Sequence, residues 1–232
     1  MSEIEAMVED MNPALQSKIQ AFYIEIGDER KVTQLLMSFI PSEKLKRKSI
    51  VSKYGKDILI ILSTDKENSN LQHKFEDALF YLGIKKDHLK IGQSRIHADK
   101  SKIKMAIEEA IQARMVGQIE NSKDIRYEEI GAYQLLLPEI KSEHLQKYMQ
   151  NYLHPILNDG EEQGELIKTA IQYVLAGGDL NLASERLFCH KNTVRYRVNK
   201  IHELLDVNSS ELEFFEHLAT AVRIYLINKH LH

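Results

Sequence analysis

Between Arg186 and Lys200 the chain carries Arg186, Lys191, Arg195, Arg197 and Lys200 and no acidic residue. Interleaved with them are His190, Asn192, Thr193, Tyr196 and Asn199. Guanidinium and ammonium groups grip phosphate oxygens, while amide, hydroxyl and imidazole groups pair with donors and acceptors on base edges. The flanks are acidic, with Glu161, Glu162 and Glu165 before the run and Glu211, Glu213 and Glu216 after it. A solvated helix usually mixes signs; here the cations are confined to a stretch that would meet a polyanion. The chemistry this implies is non-covalent recognition, not bond making.

Such groups need a rigid element behind them. Val194, Val198, Ile201 and Leu205 recur at helical spacing, which predicts a helix over about 191–205 with an apolar back and a polar front. Ahead of it, Asn181 is the expected N-cap of a short helix in which Ala183, Ser184 and Leu187 offer a small face for close approach. Phe188, Cys189 and His190 leave room only for a tight turn, so the two helices must cross steeply. The pattern is a helix-turn-helix with its second helix in the major groove of DNA. Arg195, Arg197 and Lys200 are the expected phosphate contacts, joined by His190 and Lys191 at the helix start. Asn192, Thr193, Tyr196 and Asn199 are the candidates for base edges, and Arg195 or Arg197 could instead pair with a guanine. The competing reading is an ordinary pair of surface helices in an all-helical domain. Cys189 is expected to be a small buried residue of the turn.

At these residues a family resemblance emerges. The run Gly177-Gly178-Asp179-Leu180-Asn181, followed by His190, Asn192, Thr193, Val194, Arg195, Tyr196 and Arg197, resembles the C-terminal helix-turn-helix of the purine-catabolism and sugar-diacid regulators, the PucR/CdaR family. The turn position often held by Gly in helix-turn-helix proteins at large is Phe188 here. The resemblance implies a sequence-specific transcriptional regulator.

Composition sets outer bounds. The chain has 232 residues, 43% of them hydrophobic and 28% charged, as in ordinary globular proteins. A net charge of -3 argues against a sequence-blind DNA coater, which needs a broad positive surface, and permits one small basic patch. One cysteine rules out an internal disulfide framework and fits a reducing cytoplasm. Residues 1–13 lack the basic start and apolar core of a secretion signal. Ile4, Met7, Val8 and Met11 would share a helical face there, either as a loose tail or as a dimer-forming helix. The ten histidines show no paired metal-ligand spacing, and no phosphate-binding glycine loop or nucleophile elbow is present. No catalytic residue, cofactor or metal is expected.

The N-terminal part reads as strand 20–26, a helix opened by Gly27-Asp28-Glu29, strands 48–54 and 57–62 across a tight turn, and helix 68–82. Strand 88–96, a long helix capped by Ser101, and a short strand over 125–130 follow. Ile58 to Leu62 is apolar throughout, which marks an interior strand covered on both faces. The fold class expected is an α+β N-terminal domain, a mixed sheet with packed helices, followed by an all-α helix-turn-helix domain. The boundaries expected are a tail over 1–13, an α+β domain over 14–138 and a helical domain over 139–232. In the latter, helices 142–153 and 165–176 support the motif, with His154-Pro155 interrupting the first. Ser210 and Glu213 form a capping box for a last helix whose apolar face includes Leu212, Phe215, Leu218 and Val222.

The N-terminal order also resembles the GGDEF-like domain that precedes the helix-turn-helix in this family. An active cyclase of that type carries Gly-Gly-Asp/Glu-Glu-Phe on the central hairpin, where the acids hold metal. Here the stretch is Gly55-Lys56-Asp57-Ile58-Leu59, with Lys56 crowding the nucleotide and Ile58 unable to ligate. A degenerate domain is expected, with Asp57 a turn residue. The partners implied are a double-stranded DNA operator, a second copy of the chain, and a small-molecule effector or sensor protein, with no membrane. Family members often carry a further sensing domain, for which this chain has no room. The rival readings are a nucleotide cyclase and a protein–protein adaptor.

Overall fold

The computed structural model describes residues 18–64, 71–86, 89–158, 163–205 and 210–231. The segment expected as a tail or dimer helix, 1–13, lies outside them. The chain divides into two compact units between Gly131 and Ala132, ahead of the expected boundary near 138, so residues 132–138 go with the helical unit.

The first unit is α+β. Strand β1 (Lys18–Glu25) runs antiparallel to both β3 (Asp57–Thr64) and β4 (Lys90–Gln93), β2 (Ser49–Tyr54) flanks β3, and β5 (Asp124–Arg126) adds in parallel to β4. The order is β2-β3-β1-β4-β5, a mixed sheet as expected. Every residue of β3 is buried, as its unbroken apolar run required of an interior strand. Alternation along β1 sends side chains to two cores. Phe22 and Ile24 join Ile58, Ile60 and Leu62 under α1 (Glu29–Met37), α2 (Glu43–Lys46) and α3 (Leu71–Tyr81), with Phe22 stacked on Phe75 at 4.2 Å. Ile19 and Ala21 join Leu59 and Ile61 on the opposite face, against α4 (Ile103–Ile119).

Helix α4 lies unusually close to the sheet because its inner side is Ala106, Ala110 and Ala113 and because β4 offers Gly92. A Cβ on Gly92 would stand 2.1 Å from the Ala110 carbonyl oxygen, so no other residue fits there without moving the helix. Two charged groups are buried at this interface. Glu109, 3% exposed, accepts from the Arg95 backbone N–H and Nε, both at 3.0 Å, and its Oε2 lies 3.0 Å from His97 Nε2. Arg114, also 3% exposed, donates from Nε to Glu25 Oε2 at 2.9 Å and from Nη1 to the Ser122 carbonyl at 2.8 Å.

Several expectations are corrected in detail. Asp99, not Ser101, caps the turn that leads into α4, its carboxylate accepting from the Ser101 N–H at 2.9 Å. Only Asp124–Arg126 of the stretch 125–130 and its neighbour is strand; Tyr127–Glu129 curls into a single 3₁₀ turn, since Glu129 reaches back to the Arg126 N–H.

The second unit is all-helical: α5 (Tyr133–Leu136), α6 (Glu143–Leu157), α7 (Gln163–Leu175), α8 (Leu180–Leu187), α9 (Lys191–Leu204) and α10 (Glu211–Leu231). Pro155 does not interrupt α6, which continues to Leu157; the helix carries the proline two residues before its end, without the backbone bond that position 155 would otherwise donate to the Asn151 carbonyl. The capping box opens α10 as expected, with Ser210 N–H on Glu213 Oε2 at 3.1 Å and Glu213 N–H on Ser210 Oγ at 3.3 Å. Its buried face includes Phe214, Leu218, Ala221 and Val222, while Leu212 in the first turn is exposed and Phe215 only half-buried. No helix among the described residues is long and apolar enough to cross a membrane.

Candidate nucleic-acid interface

Helix α7 forms the base of this region, burying Leu166, Ala170 and Val174. Its end is fixed by Gly177 and Gly178, both at positive φ (64° and 86°), whose N–H groups return to the carbonyls of Val174 and Tyr173. This pattern closes a helix with left-handed residues that only glycine adopts freely. The chain then enters α8 at once. Asp179, not Asn181, is the N-cap: its carboxylate accepts from the N–H groups of Asn181 at 2.7 Å and Leu182 at 3.1 Å. The capping oxygen had to come from the residue just ahead of the first turn, and Asn181 already lies within that turn.

Helix α8 ends at Phe188 in the left-handed region, φ 53°, with the Cys189 N–H returning to the Ser184 carbonyl. This is the place where helix-turn-helix proteins at large favour Gly, and a side chain there costs about 1–2 kcal/mol. The Phe188 ring is 96% exposed, and Cys189 is half-buried, not the core residue expected.

His190 caps α9. Its Nδ1 accepts from the Asn192 N–H at 3.1 Å, which leaves Nε2 as the outward edge of the ring. Val194, Val198 and Ile201 are buried, and Leu205 at the C-cap is half-buried. Ala183 on α8 is fully buried, so the small residue does lie at the inter-helix contact. His202 meets Phe214 of α10 edge-on at 4.5 Å.

The remaining side chains of α9 face away from this core to different degrees. Asn192, Arg195, Tyr196 and Asn199 are exposed; Lys191, Thr193, Arg197 and Lys200 are half-buried. Arg195 Nη1 donates to Asn192 Oδ1 at 3.3 Å, one turn back on the same face. Arg197 differs: its Nη1 sits 3.1 Å from Glu165 Oε2 on α7, and its side chain is 20% exposed. Lys168 at 3.1 Å, followed by Arg197, holds the Glu165 carboxyl below its ordinary range. Nothing in the sequence alone paired Glu165 with Arg197. They are 32 positions apart, and only the packing of α9 against α7 brings them together.

The hairpin of the first unit carries the other acid of interest. Gly55 stands at φ 60° in the first central position of the turn, where two-residue hairpin loops call for glycine. Asp57 is 5% exposed and spent on structure. Its Oδ1 accepts from the N–H groups of Ile26 at 2.7 Å and Gly27 at 2.9 Å, and its Oδ2 from the Tyr23 hydroxyl at 2.6 Å. Burial and then the bond to Asp57 push the Tyr23 phenol well above its ordinary range. Ile58 is fully buried and Lys56 exposed. No cluster of three or more His, Cys, Asp or Glu suited to a metal ion occurs among the described residues.

Comparison with known proteins bears on the helical unit. Residues 166–224, from α7 into α10, match the PucR C-terminal helix-turn-helix domain. The proline-responsive transcriptional activator PutR of Bacillus subtilis is 30% identical over 135 residues, 56% of this chain and 31% of that protein. An uncharacterized protein of Haemophilus influenzae is 41% identical over 66 residues, 28% of this chain and 16% of the relative. The chain thus spans under a third of the length of either curated relative. Among solved structures, a regulator of polyketide synthase expression from Bifidobacterium adolescentis aligns over 97% of this chain and 90% of its own, at 15% identity and a TM-score of 0.41.

Proposed function

We infer that this chain, whose residues 166–224 match the PucR C-terminal helix-turn-helix domain, is a regulator of that family that binds operator DNA through α9 and regulates transcription. The observation that carries this reading is the division of α9 into a buried stripe, Val194, Val198 and Ile201, and an exposed face of Asn192, Arg195, Tyr196 and Asn199 that meets its first acid, Glu203, only in the last turn of the helix. In this reading Arg195, Lys191 and Lys200 meet phosphate, and the outward edge of His190 donates to phosphate at the helix start. Asn192, Thr193, Tyr196 and Asn199 read bases. Arg197, seated on Glu165, serves mainly to hold α9 at its crossing angle.

A single helix-turn-helix covers a short site, so the functional species is a dimer on half-sites about 34 Å apart or a multiple of that. It acts in the cytoplasm, on an effector or sensor signal. The hairpin of the first unit supports no cyclase chemistry in this reading, because the one acid of the turn is consumed by two backbone N–H groups and a phenol.

Selection of bound genomic fragments by the purified protein, followed by titration of the recovered site at several salt concentrations, tests the proposal. Affinity should fall steeply with salt, with a slope set by the number of phosphates engaged. Recovery of no enriched sequence, or binding indifferent to salt, would sink it in favour of an adaptor role.

A further inference from the structure

Two side chains at the start of α9, His190 and Asn192, each spend an acceptor within the protein and leave donors outside. Two separate contacts do this. His190 accepts the Asn192 N–H at its Nδ1, 3.1 Å away. A neutral ring that accepts at Nδ1 carries its hydrogen on Nε2, so the outward edge of the imidazole donates. The exposed Asn192 accepts at its side-chain Oδ1 from Arg195 Nη1 at 3.3 Å. A guanidinium holds donors only, so the amide atom facing it is the oxygen, and the Nδ2 amino group is left to the outside. From sequence alone Asn192 can present either end of its amide. Its place three residues ahead of Arg195, on one face of the helix, removes that choice.

An asparagine with both ends free reads adenine in the major groove, its oxygen facing the N6 amino group and its nitrogen facing N7. Here the oxygen is drawn toward the next turn of the helix and a cation stands beside it. The amino group of an adenine would approach that guanidinium donor against donor, and the N4 amino group of a cytosine would meet the same repulsion. Guanine presents N7 and O6, two acceptors side by side, which suit an amide nitrogen flanked by a guanidinium.

We propose that Asn192 reads guanine, not adenine, in the operator half-site, and that Arg195 sets this choice by holding the Asn192 carbonyl. Arg195 is thereby a positioning residue for a base contact as well as a phosphate contact. The inference rests on the reading of α9 as the recognition helix.

The test uses the full chain and the operator recovered by genomic selection. Each base pair of one half-site is replaced in turn by the other three, and relative affinities are measured at reduced salt for the unaltered protein and three variants. Asn192→Ala should flatten the preference at one position, which identifies the pair that Asn192 reads. There the unaltered protein should bind guanine about tenfold or more tighter than adenine, the scale of one good base contact. Arg195→Ala frees the amide, so adenine should draw level with guanine at that position or overtake it. Loss of a phosphate contact alone would not produce that switch. Lys191→Ala should weaken binding to all the sequences alike. The proposal is overturned by a preference for adenine at the Asn192 position in the unaltered protein, or by a guanine preference that survives Arg195→Ala. Loss of that preference with no gain for adenine, or the lack of any position that responds to Asn192→Ala, overturns it too. Each of these results leaves sequence-selective, salt-dependent binding, and with it the regulator reading, in place; absence of sequence-selective binding by the unaltered chain removes both. Should a variant fail to fold, Asn192→Ser maps the same position and Arg195→Met breaks the same bond.

Discussion

The two units use arginine and carboxylate side chains in opposite ways. In the sheet unit Arg114 and Glu25 face each other at 2.9 Å, the arginine 3% exposed, with Lys90, Gln118 and the Ser122 carbonyl completing the set. Asp57 is likewise enclosed by donors. In the helical unit Arg195 stands at the surface with a single 3.3 Å bond to a neighbouring amide. A buried charge must be met by its own protein, because desolvation costs more than any one contact returns. An exposed cation on a face without acids keeps its capacity for an outside partner. Burial and completeness of bonding, more than residue type, separate the charges satisfied within the protein from those turned to solvent.

That division is broken most directly at Glu25. Burial would raise its carboxyl, but bonds from Gln118, Lys90 and Arg114 override this and hold it at about 2, against an ordinary 4.5. The folded value is depressed, so the stabilisation is complete above about pH 4.5 and is lost as pH falls toward 2. It amounts to something on the order of 3 kcal/mol. Glu25→Gln leaves Arg114 without its counter-charge and should cost about 3 kcal/mol at neutral pH. It should also flatten the acid limb of a urea-denaturation series run against pH. An unchanged acid limb would mean that the pair is not a structural charge. Asp57→Ala comes next. It strands two backbone donors and a phenol, and should lower stability by about 2 kcal/mol while leaving DNA affinity per folded molecule as it was. A stable Asp57→Ala protein that had lost an affinity for magnesium and nucleotide would return the hairpin to the list of active sites.

How far these roles could be read from sequence depended on the range of the interaction. The apolar run Ile58 to Leu62 of β3, the helix near 191–205 and the Ser210 capping box are local patterns, set by neighbours a few residues apart, and they are legible. From sequence alone Asp57 reads as a turn residue, because its three donors, on Tyr23, Ile26 and Gly27, lie far back along the chain. The sequence does not locate the cap of α8, because Asp179 and Asn181 are both good caps, and only the geometry after Gly178 chooses between them. The place of Cys189 in the motif suggests a core residue, whereas in the turn after the left-handed Phe188 it is only half-buried. The face of α9 was legible as a set of residue types; the seating of Arg197 on α7 was not, since it needs the crossing of two helices.

On the binding side of the comparison, Arg195→Ala is the sharpest probe. The side chain is exposed and carries one weak internal bond, so thermal stability should move by less than about 0.5 kcal/mol. Operator affinity should fall by about tenfold or more, and if the contact is to phosphate the salt slope should drop by about one. Loss of affinity with an intact slope would instead assign Arg195 to a base edge. A loss of stability as large as that of Asp57→Ala would move it to the structural class.

Arg197 lies between the classes, and its effect should be the smallest. Two arrangements give different signs. If Arg197 must leave Glu165 to reach phosphate, then Glu165 competes with DNA, and Glu165→Gln should strengthen operator binding. If Arg197 holds α9 on α7, Glu165→Gln and Arg197→Ala should each weaken binding by less than about fivefold, as an exposed pair allows. Neither should then change the salt slope, and the two together should do little more than either alone. The 3.1 Å contact and the 20% exposure of the Arg197 side chain favour the second arrangement. Tighter binding by Glu165→Gln would place Arg197 with Arg195 instead, as a cation that waits for the polyanion and is merely stored on Glu165 until it arrives.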